Sequence, residues 1–238
     1  LDSVQQQTYK RLLILLKDLD IDPQGNIANN VKNLRLLGSI RKEMDKAVLN
    51  DAYIKKVADF VKSYDTIATL QNSYFSALTT SFKPFALLNE IKKQSIEETV
   101  SALTDGGISA TYSDAISSIL HRNITTGASY ADMTTQLRNT IVGTEKEQGL
   151  LTRYAQTYTT DAIHTYNRTY NSAITNDLGF EWYAYLGSLL TTSRPFCRDL
   201  AERGYFHKNE IGKLLKGHIG SKSVPLNKKT GLPDGMKD

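Results

Sequence analysis

Apolar positions in the first hundred residues recur at helical intervals and are punctuated by turn signals. Val4, Leu12, Leu13, Leu15, Leu16 and Leu19 sit among Gln, Lys and Asp, and the run meets Asp20-Ile21-Asp22-Pro23-Gln24-Gly25, which predicts a helix and then a turn. Ile27, Val31, Leu34, Leu37, Met44 and Val48 continue at mostly helical steps. Beyond Asn50-Asp51, the positions Ile54, Val57, Val61, Tyr64, Ala68, Gln71, Phe75 and Leu78 alternate three- and four-residue steps for over three heptads. A helix through residues 52–80 would be roughly 40 Å long at about 1.5 Å per residue, so an elongated antiparallel helical pair is expected. Such a stripe packs either within its own chain or against a second copy; intramolecular packing is the expectation, and Gln71 is the seam position to watch. Phe82-Lys83-Pro84 breaks the pattern. Phe85, Leu88, Ile91, Ser95, Thr99 and Leu103 begin another helix, expected to stop at Asp105-Gly106-Gly107.

Tyr112, Ile116, Ile119 and Leu120 mark a short helix. Thr125-Thr126-Gly127-Ala128-Ser129 supplies a stop and then an N-cap, Ser129, for a helix through Met133, Leu137 and Ile141 that Gly143 should terminate. Leu151, Tyr154, Tyr158, Ala162, Tyr166, Tyr170, Ile174 and Leu178 form a long tyrosine-rich helix ending at Gly179. There the period changes to two: Phe180, Trp182, Ala184 and Leu186 alternate with Glu181, Tyr183, Tyr185 and Gly187, as in a half-buried strand. Glu210, Ile211, Leu214 and Leu215 suggest one more short helix before a stretch rich in Gly, Ser, Lys and Pro. The fold class is therefore α+β, mainly α. An elongated helical region spans 1–105, a small mixed module with a long helix and a short sheet spans 106–215, and a basic extension spans 216–238.

Composition changes this picture in three ways. No apolar run reaches the roughly 20 residues that a membrane-spanning helix needs, so no span is expected and the chain reads as soluble. The single cysteine, Cys197, excludes an intramolecular disulfide and favours synthesis in a reducing cytoplasm. The net charge of +4 belongs to the tail: residues 198–238 hold nine Lys/Arg against five Asp/Glu, and the rest of the chain balances. Lys208, Lys213, Lys216, Lys222, Lys228 and Lys229 face one acid, Glu210, over 208–229, a density suited to packaged double-stranded DNA or equally to a solvated extension.

The segments Trp182-Tyr183-Ala184-Tyr185-Leu186-Gly187 and Thr192-Ser193-Arg194-Pro195-Phe196-Cys197-Arg198-Asp199-Leu200 follow the long helix, and Gly127-Ala128-Ser129-Tyr130 opens the helix before it. In this order they resemble the phage Mu F-like, or head-morphogenesis, minor head proteins. The resemblance covers residues 110–215. It implies a minor structural protein of a tailed-phage virion, located in the head or neck, made in the host cytoplasm and partnered by portal or other head proteins. It further implies a role in head completion or genome delivery; no enzyme activity, cofactor or metal is expected. Self-association through the N-terminal helices also fits. The alternatives are a DNA-binding virion accessory, or the N-terminal carrier of a phage-delivered toxin or enzyme. Two departures stand out: Leu189-Leu190 replace an Asp that many members carry before the Ser/Thr-Arg turn, and no Gly-rich strand with a further Cys or His closes the module.

Trp182, Ser193, Arg194, Phe196, Cys197 and Asp199 are the motif residues. Arg194 has the donors to close the turn on backbone carbonyls or Asp199; a nucleic-acid phosphate is the other partner it would suit. Cys197 reads as a small buried hydrophobe, because a nucleophilic thiol needs a base, and His121, His164, His207 and His218 form no local signature with it. Zinc on Cys197, His207 and His218 would require spacings unlike the short pairs that fix metal geometry. Trp182, Tyr183 and Tyr185 suit a core better than base stacking. No phosphate loop, paired-carboxylate motif or metal triad is present in the sequence.

Overall fold

Two asparagines open the first long helices. Asn30 accepts from the Asn33 N–H at 2.8 Å to start α2 (Val31–Val48), and Asn50 accepts from the Tyr53 N–H at 3.1 Å to start α3 (Asp51–Leu78). Before them lies α1 (Asp2–Leu15); after them come α4 (Ala86–Thr104), a single turn α5 (Gly106–Ile108), α6 (Asp114–Thr126), α7 (Tyr130–Ile141) and α8 (Leu150–Asp177). These are the elements of the computed structural model, which describes residues 1–104 and 106–233. The chain is α+β and mainly α, and it divides into two compact units, Leu1–Ile174 and Thr175–Asp238. Among the described residues, no helix is long and apolar enough to cross a membrane.

The core of the first unit draws on both sides of residue 105. Leu12 of α1 and Met44 of α2 belong to the same buried cluster as Ile116 and Leu120 of α6, Leu137 of α7 and Leu151 of α8. The compact units therefore do not follow a 105/106 line: α1 and α2 cover the apolar faces of α6 and α7, and neither pair has a core without the other. Gln5 makes the same point with a polar group. It is only 1% exposed, and its Oε1 accepts from the Thr152 N–H at 3.1 Å, one of the N–H groups at the start of α8 that have no partner inside the helix. A side chain of the first helix thus caps the last helix of the unit.

Helices α3, α4 and α8 are bound together by tyrosines. From α8, Tyr154 donates to the Ala102 carbonyl at 2.9 Å and Tyr158 to that of Glu98 at 3.3 Å, so hydroxyls four residues apart meet carbonyls four residues apart on α4. Tyr166 donates to the Tyr64 carbonyl at 3.3 Å, Tyr53 to that of Leu103 at 2.8 Å, and the Tyr64 and Thr99 hydroxyls share a bond of 2.6 Å. Each ring fills the interhelical space while its hydroxyl finds a partner, which removes the penalty of burying a polar group. The heptad stripe on α3 packs inside the chain: Val57, Tyr64, Ala68 and Phe75 are buried, and Gln71 donates to the Asn167 side chain and carbonyl on α8. Its edges, Ile54 and Leu78, are exposed.

Helix ends fall close to their predicted places, with Gly127, Gly143 and Gly179 all at positive φ. The stop expected at Asp105-Gly106-Gly107 is different: Asp105 lies outside the described residues, and Gly106 and Gly107 re-enter a helical turn, α5, that runs through a wider turn at Ser109–Ser113 into α6.

The second unit contains β1 (Trp182–Ala184), α9 (Pro195–Arg203), β2 (Tyr205–His207), the short α10 (Ile211–Leu214), β3 (His218–Ile219) and β4 (Lys222–Ser223). The strands make two separate antiparallel ribbons, β1–β2 and β3–β4. Residues 216–223, expected to be extension, instead join the fold. Gly220, at φ +60°, takes the left-handed turn that lets Ile219 pair back on Lys222, and Ile219 is buried with Phe196, Leu200, Phe206 and Leu214. Residues 234–238 of that segment lie outside the described residues.

Candidate functional site

The motif residues lie around α9. Pro195 occupies the first turn, where its missing N–H costs nothing, and Arg194 holds the N-cap position in extended geometry. Phe196 and Leu200 point into the small core, where they meet Phe206 of β2. The preceding turn is tied by Ser193, whose N–H donates to the Leu190 carbonyl at 2.9 Å while its hydroxyl accepts from the Leu190 N–H at 2.7 Å. Arg198 braces the same turn, its guanidinium donating to the Ser193 carbonyl at 2.9 Å and the Thr191 carbonyl at 2.6 Å. Arg198, one helical turn beyond Arg194, thus closes this turn on backbone carbonyls. Asp199 accepts from Lys222 at 2.9 Å, tying α9 to β4.

The aromatic strand departs from expectation. All three residues of β1 are exposed, Trp182 at 64%. Alternation of apolar and polar residues reports the period of a strand but not whether a layer covers it. Among the described residues β1 pairs only with β2, in the register Trp182↔His207, Tyr183↔Phe206 and Ala184↔Tyr205. Phe206 is buried in the core, so Trp182, Ala184, Tyr205 and His207 share the outer face. The Trp182 ring packs edge-on against His207 at 5.2 Å instead of entering a core.

Cys197 is half-buried beside Tyr185, whose hydroxyl is pushed above its ordinary pKa by burial and then by the neighbouring thiol. The histidines nearest in sequence are engaged elsewhere. His207 Nδ1 accepts from the Asn209 N–H at 3.2 Å and Glu210 accepts from the His207 N–H at 3.0 Å, a reciprocal cap on the short helical turn Lys208–Glu210. With Nδ1 accepting, the proton of a neutral His207 lies on Nε2, 3.5 Å from Glu181. His218 Nδ1 is 2.8 Å from the Ser223 hydroxyl. Among the described residues no group of three or more His, Cys, Asp or Glu is placed to hold a metal ion.

Among the described residues, two of the six tail lysines lie in ion pairs. Lys208 pairs with Glu181 at 2.8 Å; this bond, then the one from His207, holds the Glu181 carboxyl below its usual pKa. Lys222 lies between Glu202 at 2.7 Å and Asp199 at 2.9 Å, which raise its pKa in that order. Lys213, Lys216, Lys228 and Lys229 are exposed. Sequence reasoning missed Arg198, and it missed Arg203, which lies 5.0 Å over the Phe206 ring and pairs with Glu210 at 2.5 Å. The cap at His207 was in principle legible, since a side-chain acceptor followed three residues later by Glu is the spacing of a capping box. The site offers exposed aromatic and basic groups on a braced scaffold, an arrangement for contact. No family model, no curated protein and no solved structure matches this chain.

Proposed function

We propose that the chain is a minor structural protein of a tailed-phage virion, associated with the portal or other head proteins, where it assists head completion or genome delivery. One observation carries the reading: the segments that resemble the Mu F-like module run in the family's order, from the long helix through Gly179, the aromatic strand, the Ser193-Arg194 turn and the Cys197 helix. The chemistry around Cys197 also favours a binding role over a catalytic one, since His207 caps a helical turn and Cys197 adjoins a tyrosine with a raised pKa. Leu189-Leu190, where many members carry Asp, give this chain an apolar turn in place of a polar one. Packaged DNA is a secondary partner, through Lys213, Lys216, Lys228 and Lys229.

Quantitative mass spectrometry of purified particles tests the proposal. The chain should be present in a small, fixed ratio to portal protein and remain after gradient purification and high-salt washing. Its absence from particles, with the protein present in the infected cell, would overturn the reading.

A further inference from the structure

The largest apolar side chains of the second unit are outside its core. Trp182 and Tyr205 share the outer face of the β1–β2 ribbon and are 64% and 66% exposed. Two residues past the end of β1 the chain continues with Leu186 at 90%, Leu189 at 51% and Leu190 at 69% exposure. These leucines sit on a braced loop. Ser193 closes the turn at Leu190, and Arg198 donates to the carbonyls of Thr191 and Ser193. Gly187 folds over the Tyr185 ring so closely that a Cβ there would lie 2.3 Å from it. The backbone is irregular over Tyr185–Leu190, so the leucine turn presents no strand edge for pairing.

The charge of the unit selects among occupants. Thr175–Asp238 holds ten Lys/Arg against seven Asp/Glu, three of the chain's four net positive charges, and Lys213, Lys216, Lys228 and Lys229 are exposed on it. A nucleic acid would meet the positive charge but has no use for three exposed leucines. A second copy would meet the leucines but bring like charge against like. A surface with apolar depth beneath negative headgroups satisfies both features: leucine enters the acyl boundary, tryptophan and tyrosine settle at the interface, and Arg and Lys stay with the phosphates. We propose that Trp182, Leu186, Leu189, Leu190 and Tyr205 form a face that inserts into the headgroup boundary of an anionic bilayer, to a depth on the order of 5–10 Å.

Trp182 is the only tryptophan in the chain and reports its own insertion. The full chain is mixed with phosphatidylcholine vesicles with and without phosphatidylglycerol, and emission is followed together with co-sedimentation. A blue shift, quenching by brominated acyl chains and co-sedimentation are expected with the anionic vesicles, weakening as salt rises. The combined Leu186→Ser, Leu189→Ser and Leu190→Ser variant should lose at least about tenfold in partitioning while keeping its far-ultraviolet circular dichroism, because these side chains are outside the core. A single Leu186→Ser variant gives a smaller loss in the same direction with still less risk to folding. No blue shift with anionic vesicles would overturn the inference, as would equal binding to uncharged ones. A blue shift that appears without vesicles and grows with protein concentration would assign the face to a second copy, and one produced by duplex DNA alone would assign it to nucleic acid; either contradicts the proposal.

Discussion

The two units solve the problem of burial differently. In Leu1–Ile174 one apolar cluster draws side chains from α1 through α8, and the hydroxyls of Tyr53, Tyr154 and Tyr166 are satisfied on neighbouring helices. In Thr175–Asp238 the core rests on Phe196, Leu200, Phe206, Leu214 and Ile219, while Trp182, Leu186, Leu189 and Leu190 stay outside. Folding stability scales with buried apolar area, so the first unit has a reserve that the second lacks. Exposed apolar groups on a small, braced scaffold are a feature of contact surfaces. The first unit is thus the larger buried frame, and the second, though much shorter, leaves a larger share of its apolar side chains in solvent.

Removing the central side chain of the smaller core should produce the largest effect. Phe196→Ala costs about 3–5 kcal/mol by the usual cost of such truncations, comparable to what a core in a domain below about 80 residues supplies. The variant should lose amide protection throughout residues 180–223 while the main thermal transition of the first unit stays in place. Simultaneous collapse of both units would break the comparison. In the larger core, Ile124→Ala should cost about 2–5 kcal/mol and leave the unit folded with a lower melting temperature, read by calorimetry.

Alkaline titration sharpens the contrast further. Burial pushes the Tyr53 and Tyr166 hydroxyls well above the ordinary tyrosine range, with Tyr154 and Tyr170 adding in turn. The folded state therefore holds these protons to higher pH than the unfolded chain, where tyrosine titrates near about 10. Their contribution is complete below that pH and is lost as pH rises above it. Absorbance near the phenolate band should rise together with loss of helicity above about pH 10; phenolate formation at Tyr53 and Tyr166 in a still-folded first unit would contradict their burial. The smallest effect is expected at Lys222. Its partners Asp199 and Glu202 are bonded on the surface, so Lys222→Ala should leave the melting of the second unit essentially unchanged.

Helix positions were legible in the sequence because they depend on local signals. The stripe from Val57 to Phe75, the stops at Gly127 and Gly179 and the cap at Ser129, which accepts from the Asp132 N–H, all follow from residues within a few turns of each other. The shared core of α1, α2, α6 and α7 was not legible, because a periodic face reveals that it will be buried but not by what. Gln5 capping α8 from 147 residues away leaves no local signature. The exposure of β1 was not legible for a related reason: Phe180, Trp182, Ala184 and Leu186 alternate as a half-buried strand does, but among the described residues no layer of its own unit covers the outer side of this two-stranded ribbon. The β3–β4 ribbon escaped notice because strands of two residues have no measurable period, and lysine-rich composition dominated the segment. In the motif, the structure buries Phe196 in the small core and ties the turn through Ser193, and the bracing role of Arg198 carried no signal in the sequence because it depends on where the first turn of α9 directs that side chain.

Hydrogen exchange on the intact chain, resolved by segment, tests the division most directly. Residues on either side of 105 should open together, with α1, α2, α6, α7 and the buried face of α8 sharing one high free energy of opening, while residues beyond Thr175 exchange faster. Separate opening of residues 1–104 and 106–174 would contradict the account, because it would mean that the two halves of the helical core do not depend on each other.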